Sequence, residues 1–154
     1  MTIKGIFPEQ MILAWDLKPI VNKSYLELYA LRGYDLAPHK SFLDGNSIAS
    51  AKSEYSELTA KDIVDIQFDE RGTAEWKQLT RRNKGRSLAF CIDKKVYSAP
   101  NVISEIEGGH ASVAGDYTKI ETEFIANILE SHQLAAQIHI LKVEKVGWFK
   151  YIFG

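Results

Sequence analysis

The sequence predicts an α+β fold: a split β-α-β-β-α-β (ferredoxin-like) sheet with two helices on one face, plus an N-terminal extension that contains a strand. Three observations lead to this prediction. Apolar and polar residues alternate at 63–68, as in a strand with one buried face. Apolar residues recur every three or four positions after Asp69 and after Thr118, as in helices. Apolar strand-like runs follow each helix and complete the order of elements.

The first half of the chain contains a mixture of strand and helix signals. The aromatic and apolar run at 25–32 predicts a strand, with a helix as the alternative because leucine and alanine suit both. Residues 48–55 follow an Asn-Ser pair that could cap a helix, so we predict a short helix there. Asp69 stands at the N-cap of the next helix. That helix is expected to bury one face, made of Thr73, Trp76, Leu79 and Thr80.

The second half contains two strands, a broken segment, a helix and a final strand. The strand at 86–92 has one face made of Leu88, Phe90 and Ile92. A charged turn leads to a short strand at 96–97, which Pro100 interrupts because proline donates no ladder hydrogen bond. Thr118 begins a capping box. The helix behind it is expected to bury one face, made of Phe124, Ile125, Ile128 and Leu129, and the last strand is predicted at 137–143.

We expect one domain, because 154 residues is near the commonest domain size and no Pro/Gly/Ser-rich linker divides the chain. An N-terminal extension at 1–23 either packs on the domain or belongs to another one. The domain itself is predicted at 24–146, and an aromatic tail at 147–154. Docking of this tail onto the domain's own core is the simpler interpretation, and a contact for a partner or a membrane surface is the alternative.

Charge and residue spacing exclude several classes of function. Lys+Arg is 19 and Asp+Glu is 20, and this net charge of −1 argues against a strongly basic nucleic-acid-binding domain. The four histidines lack ligand spacing, and the single cysteine, Cys91, lies in a predicted strand. We therefore expect no metal, no cofactor and no internal disulfide. The carboxylates are scattered and no phosphate loop or nucleophile elbow occurs, so we expect no catalytic residues and no enzyme.

Membrane and export signals are weak. No segment approaches the roughly 20 apolar residues that span a bilayer. The apolar run at 11–15 is shorter than a signal-peptide core. If the chain is complete, we expect a cytoplasmic location; if it is a piece of a longer membrane protein, we expect this domain to be periplasmic.

Several short motifs follow one another with a spacing similar to that of one family. Gly72, Trp76 and Thr80 match a helix pattern of glycine, aromatic residue and threonine. The run Gly-Arg-Ser-Leu-Ala-Phe-Cys-Ile-Asp follows at 85–93. The run Val-Tyr-Ser-Ala-Pro at 96–100 is the most specific.

As an ordered set over residues 44–136, these motifs resemble the head of the first periplasmic domain of SecD and of the fused SecDF protein translocase subunit. The Leu-Tyr-Ala stretch at 28–30 is also similar to that of Bacteroidetes-like SecDF chains. The family's membrane segments, which serve proton-coupled transport, do not occur in this sequence. We therefore do not expect this polypeptide alone to act as a proton-driven motor.

The resemblance implies a non-enzymatic domain that assists preprotein translocation. Its implied partners are unfolded polypeptide or translocase components, which could add along a sheet edge or lie on the open sheet face. The alternative for Pro100 and the glycines is fold maintenance, because proline sets a break and glycine permits positive φ. The candidate binding residues are Tyr97, Ser98, Ala99, Pro100, Gly108, Gly109, Trp148 and Phe149.

A second function stays open beside this one. A stand-alone interaction or oligomerisation module of the same fold would have no translocation role. It could form a homo-oligomer through the aromatic tail.

Overall fold

The computed structural model describes residues 11–18, 26–32, 43–93, 95–131 and 138–144. Within them a 3₁₀ turn lies at Gly45–Ser47. The helices are α1 (Glu70–Arg82) and α2 (Lys119–Glu130). The strands are β1 (Met11–Asp16), β2 (Leu28–Arg32), β3 (Ile48–Ser56), β4 (Lys61–Phe68), β5 (Leu88–Ile92), β6 (Lys95–Ser98), β7 (His110–Val113) and β8 (Ile138–Glu144).

The strands form two separate sheets. Five of them close into a barrel in the order β1-β2-β8-β5-β6, and the parallel pairing of β1 with β6 completes the ring. The other three form an antiparallel sheet in the order β3-β4-β7. The predicted α+β class with two helices is therefore confirmed.

The expected single ferredoxin-like sheet is not confirmed. In that arrangement the strands on either side of α1 would share one sheet, but β4 belongs to the three-stranded sheet and β5 to the barrel. The reason is the number of available edges, since a strand has only two. β4 uses its edges for β3 and β7, and β5 uses its edges for β6 and β8.

The segment predicted as a short helix at 48–55 is instead the long strand β3. It pairs antiparallel with β4 from Ile48 to Ser56, with a bulge between Ile48 and Ser50. Pairing along the whole of β4 outweighs the local capping signal, because helix propensity is a weak preference that tertiary context overrides. The strands predicted at 63–68 and 86–92 are confirmed as β4 and β5.

Both predicted helix starts are confirmed. The Asp69 carboxylate accepts a 2.6 Å hydrogen bond from the Gly72 N–H, and Thr118 forms a capping box with Glu121. The prediction for α2 is wrong at Phe124, which is 65% exposed. The core face of α2 is made of Ile125, Ala126 and Leu129.

The strand β5 is buried on both faces and belongs to two hydrophobic clusters. Leu88, Phe90 and Ile92 share one face, as predicted, and pack with both helices and the three-stranded sheet. Ala89 and Cys91 point the opposite way, into the barrel. The other buried residues of the barrel cluster are Ala14, Leu31 and Val96. A barrel of five strands leaves little interior space, which explains the small side chains.

Lys18 links the barrel to the N-terminus of α2. Its ammonium group pairs with Glu121, donates a hydrogen bond to the Asp116 carbonyl and lies 5.1 Å from the centre of the Tyr117 ring. The pKa of Glu121 is lowered to about 2. The hydrogen bond from Lys18 is the largest cause, and the two hydrogen bonds from Thr118 come next. One side chain therefore connects the end of β1 to the other half of the molecule.

Replacing Ala89 by leucine should destabilise the protein, because the barrel has no room for three more carbons beside the fully buried Ala89. We expect Ala89→Leu to lower the free energy of unfolding by about 1–3 kcal/mol, as overpacking does. Ala74→Leu, on the exposed face of α1, is the matched control and should change it little. Urea unfolding measures both, and equal stabilities would contradict the small barrel interior.

Lys18→Met should raise the pKa of Glu121, since it removes the largest cause of the lowering. The pKa should stay below its ordinary value of 4.5, because Thr118 still donates its N–H and hydroxyl to the carboxylate. The lowered pKa means that this ionised pair stabilises the fold above pH 4.5 and is lost as the pH falls towards 2. An NMR titration of the Glu121 side chain measures this pKa in Lys18→Met and in the control Lys61→Met. An unchanged pKa of Glu121 in Lys18→Met would contradict the Lys18–Glu121 contact.

Candidate functional site

A cleft of about 370 Å³ opens between the outer edge of β7, helix α1 and the β5–β6 hairpin. The hairpin continues past Pro100 because the Leu88 N–H donates to the Pro100 carbonyl and the Val102 N–H donates to the Arg86 carbonyl. This continuation forms the wall opposite β7. The apolar lining consists mainly of Ile66, Leu88, Phe90, Val102, Ile106 and Ala111.

One apolar side chain stands out at the mouth of this cleft. Ile103 lines the cleft and is 93% exposed. A lone exposed apolar residue is ordinary, but one that continues an apolar cleft enlarges the surface available to a ligand. The cleft and Ile103 therefore form one continuous apolar surface.

Three residues of α1 at four-residue spacing position this site. Gly72 lies so close to the 3₁₀ turn that an added Cβ would be 2.8 Å from the Ser47 carbonyl oxygen. Trp76 donates its indole N–H to the His110 carbonyl at 2.9 Å, and the Thr80 hydroxyl accepts the Ile106 N–H at 3.0 Å. These two contacts attach β7 and the wall segment to the same helix face.

Polar groups form the smaller part of the cleft surface. The Ser98 hydroxyl lines the cleft, is shielded from solvent and has no hydrogen-bond partner among the described residues. At the rim, His110 Nδ1 lies 3.8 Å from an Asp65 carboxylate oxygen. Outside the cleft, Lys77 pairs with Glu105 and Glu107 and holds the loop that leads to β7. A mostly apolar cleft with a few polar groups suits binding by shape and backbone contacts.

The candidate residues from the sequence lie around this cleft in different roles. Ser98 and Pro100 line it. Tyr97 packs against the main core and Ala99 against the barrel cluster. Burial raises the pKa of Tyr97, and its carbonyl accepts a 2.6 Å hydrogen bond from the Tyr117 hydroxyl.

The remaining candidates are the two glycines and the aromatic tail. Gly108 and Gly109 lead directly into β7, and Gly109 has a φ of +69°. Trp148 and Phe149 lie outside the described residues. The binding role of all eight candidates stays a prediction.

Sequence reasoning did not select Ile103, Ser112 or Trp76 as residues of a site. The sequence predicts that Trp76 is a core residue, and it is buried in the structure. Ile103 and Ser112 carry no local signal, because their importance comes from a wall and a strand edge that meet only in three dimensions. The motif residues that do line the cleft include Trp76 and Thr80 of α1 and Ser98 and Pro100 of the Val-Tyr-Ser-Ala-Pro run.

The described residues include one free cysteine and no cluster that could hold a metal ion. Cys91 is buried inside the barrel, and burial raises the pKa of its thiol to about 12. Among residues 11–18, 26–32, 43–93, 95–131 and 138–144, no three His, Cys, Asp or Glu side chains converge as a metal site would require. In the same ranges, no helix is long and apolar enough to cross a membrane.

Fold and cleft together define the class: a small α+β domain with an apolar cleft beside a sheet edge. A family described as the SecDF P1 head subdomain matches residues 28–136, and the chain belongs to this family. The resemblance drawn from the sequence motifs is thereby confirmed.

The curated relatives that the chain is similar to are protein translocase subunits named SecD and SecDF. The chain is 32% identical over 104 residues to the protein translocase subunit SecD of Sebaldella termitidis, and 29% identical over 129 residues to SecDF of Thermus thermophilus. These alignments cover 68% and 84% of this chain, but only 25% and 17% of the relatives. The chain therefore corresponds to a small part of each relative.

Solved structures of SecDF have a similar fold. One, of a SecDF described as a membrane component that enhances protein export, has a TM-score of 0.58 and 28% identity. The match covers 71% of this chain and 49% of that chain. SecDF in a super-membrane-facing form gives a TM-score of 0.59 with 28% identity, covering 71% of this chain and 15% of that one.

Gly109→Ala should destabilise the fold, because a side chain at φ +69° is strained and its Cβ would lie 2.9 Å from the Thr73 Cβ. We expect a loss of about 1–3 kcal/mol in the free energy of unfolding. Gly108→Ala is the matched control, since its Cβ would make only an ordinary 3.5 Å contact with His110. Urea unfolding compares them, and a stable Gly109→Ala variant would exclude the fold-maintenance role of Gly109.

Proposed function

We propose that this chain works as the head domain of a SecD/SecDF-type translocase and holds an extended segment of a polypeptide in the cleft, without catalysing a reaction. The observation that supports this most is the position of the apolar cleft, which runs beside the outer edge of β7. Its location would be the periplasmic side of the membrane, as the resemblance to the family's first periplasmic domain implies.

The size and lining of the cleft support a segment of chain as the ligand. Its volume of about 370 Å³ is at the lower end of the roughly 300–1,000 Å³ found for ligand pockets. Such a space admits a few apolar side chains and excludes a folded domain. An unfolded segment exposes apolar side chains and unpaired backbone groups together, and the cleft offers partners for both.

The weak charge of the site supports a ligand of varied sequence. The rim carries one carboxylate and one histidine, Asp65 and His110, beside each other. No strong field of one sign would select among segments of different charge. A domain that assists export of many preproteins needs this tolerance.

An interaction module is the second candidate function, and the outer face of α2 favours it. Ile120 and Phe124 lie one turn apart and are 78% and 65% exposed. If this face joins two copies of the chain, Phe124→Glu should convert a dimer to a monomer in sedimentation velocity. If the wild-type chain is a monomer, self-association through this face of α2 is excluded for the isolated chain.

Binding of unfolded peptides tests the main proposal. We expect Ile103→Asp to weaken binding of an apolar labelled peptide on the order of tenfold, because it places a charge on the apolar surface at the cleft mouth. Leu58→Asp is the matched control, since Leu58 is also apolar and 96% exposed but lies in the β3–β4 turn. Fluorescence anisotropy with the full chain measures both.

Three outcomes of this binding experiment have different consequences for the proposed function. Equal weakening by both variants would show non-specific apolar adhesion and would contradict the cleft as the site. The absence of binding by the folded wild-type chain would overturn the proposal. Loss of binding in Ile103→Asp alone would support it.

A further inference from the structure

The hydrogen-bonding pattern of β7 determines which of its backbone groups are available. The Phe68 N–H donates to the Gly109 carbonyl at 2.9 Å, and Ile66 lies opposite Ala111 two residues further on. Bonded pairs alternate along an antiparallel ladder, so the N–H and C=O of His110 and Ser112 point away from β4. No strand of the described residues pairs with this outer edge.

One of these outward groups already accepts a hydrogen bond from within the chain. The Trp76 indole N–H donates to the His110 carbonyl, which confirms the outward direction of that group. Three outward backbone groups have no partner among the described residues: the N–H of His110 and both the N–H and the C=O of Ser112. Both residues line the cleft.

The opposite edge of the same sheet is protected in a way that β7 is not. On β3 the Ala51 N–H donates to the Glu130 carboxylate at 3.4 Å, and the exposed charged residues Lys52 and Glu54 lie along the strand. Charged side chains and covered backbone groups prevent unwanted strand pairing. On β7 the outward residues are a serine and a histidine, and an apolar cleft lies alongside.

An added strand would use the cleft wall for its side chains. Successive side chains of a strand point to opposite faces, so the guest residue opposite Ser112 would face solvent with the Ser112 side chain. Its two neighbours would lie on the face of Ala111, where Phe90 and Ile106 form the apolar lining. The shielded Ser98 hydroxyl is also on the cleft surface and without a described partner.

We propose that the polypeptide binds by adding an antiparallel strand to the outer edge of β7, with one guest N–H donating to the Ser112 carbonyl. This rests on the proposed function and specifies its binding mode. The same guest residue accepts the Ser112 N–H, and a residue two positions along accepts the His110 N–H. Antiparallel pairing is the more stable choice for a short ladder. The preferred sequence is an apolar residue on each side of a freely variable one.

Backbone N-methylation of a peptide tests this mode directly. The probe is the labelled heptapeptide Lys-Ser-Leu-Thr-Leu-Ser-Lys, whose central threonine would lie opposite Ser112. We expect N-methylation of that threonine to weaken binding on the order of tenfold or more, because it removes the one donor and inserts a methyl group against the strand. N-methylation of either leucine should leave binding within about twofold, since those N–H groups point away from β7.

A pair of variants of the chain examines the same contact from the other side. Ser112→Pro removes the outward N–H, and proline is tolerated at edge positions whose N–H is not used in the ladder. Ser112→Ala removes only the hydroxyl and is the control. We expect Ser112→Pro to lose binding of the heptapeptide and Ser112→Ala to keep it. Circular dichroism and urea unfolding check that both variants fold.

The outcomes separate this inference from the proposed function. If the unmodified peptide binds and no N-methyl position matters, the strand-addition mode is wrong while cleft binding stands. If no peptide binds the folded chain, the proposed function itself fails. If the chain forms a dimer that Ser112→Pro abolishes, the edge pairs with a second copy and the inference is overturned.

Discussion

The double burial of β5 is the constraint on which the rest of this structure depends. Its five residues are all buried, because one face lies in the barrel and the other in the core of the helices and the three-stranded sheet. Phe90 and Cys91, adjacent in sequence, thus belong to different hydrophobic clusters. A strand with two buried faces holds the two halves together, although their sheets share no strand ladder within the described residues. Lys18 adds a second connection at the N-terminus of α2.

The separation of the two sheets produces the cleft. Since β5 has both edges occupied by β6 and β8, β7 cannot pair with it, although both pack around the same core. The outer edge of β7 is left facing the hairpin wall, with Ser112 on one side and the continuation past Pro100 on the other. A single continuous sheet would have closed this gap. The cleft is therefore a consequence of the division of the strands into two sheets.

The family motifs acquire physical roles in this arrangement. Gly72, Trp76 and Thr80 lie on one helix face, where they allow close packing on the 3₁₀ turn, hold the His110 carbonyl and accept the Ile106 N–H. Ser98 and Pro100 of the most specific motif are cleft residues, and Gly109 allows the chain to turn into β7. Motifs recognised from residue order alone thus surround the cleft, although Ile103 at its mouth and Ser112 on the β7 edge belong to no motif.

Features that depend on a few neighbouring residues were determined by the sequence itself: the caps at Asp69 and Thr118, the alternation in β4 and the shared face of Leu88, Phe90 and Ile92. Side-chain capping and the period of a strand act over one turn or a few residues, so the sequence displays them directly. The tertiary structure alone decided that 48–56 is a strand, that Phe124 is exposed and that two sheets form. These outcomes follow from competition for strand edges and core surface between segments far apart in the chain. A local sequence pattern does not indicate which segment takes a given strand edge or part of the core.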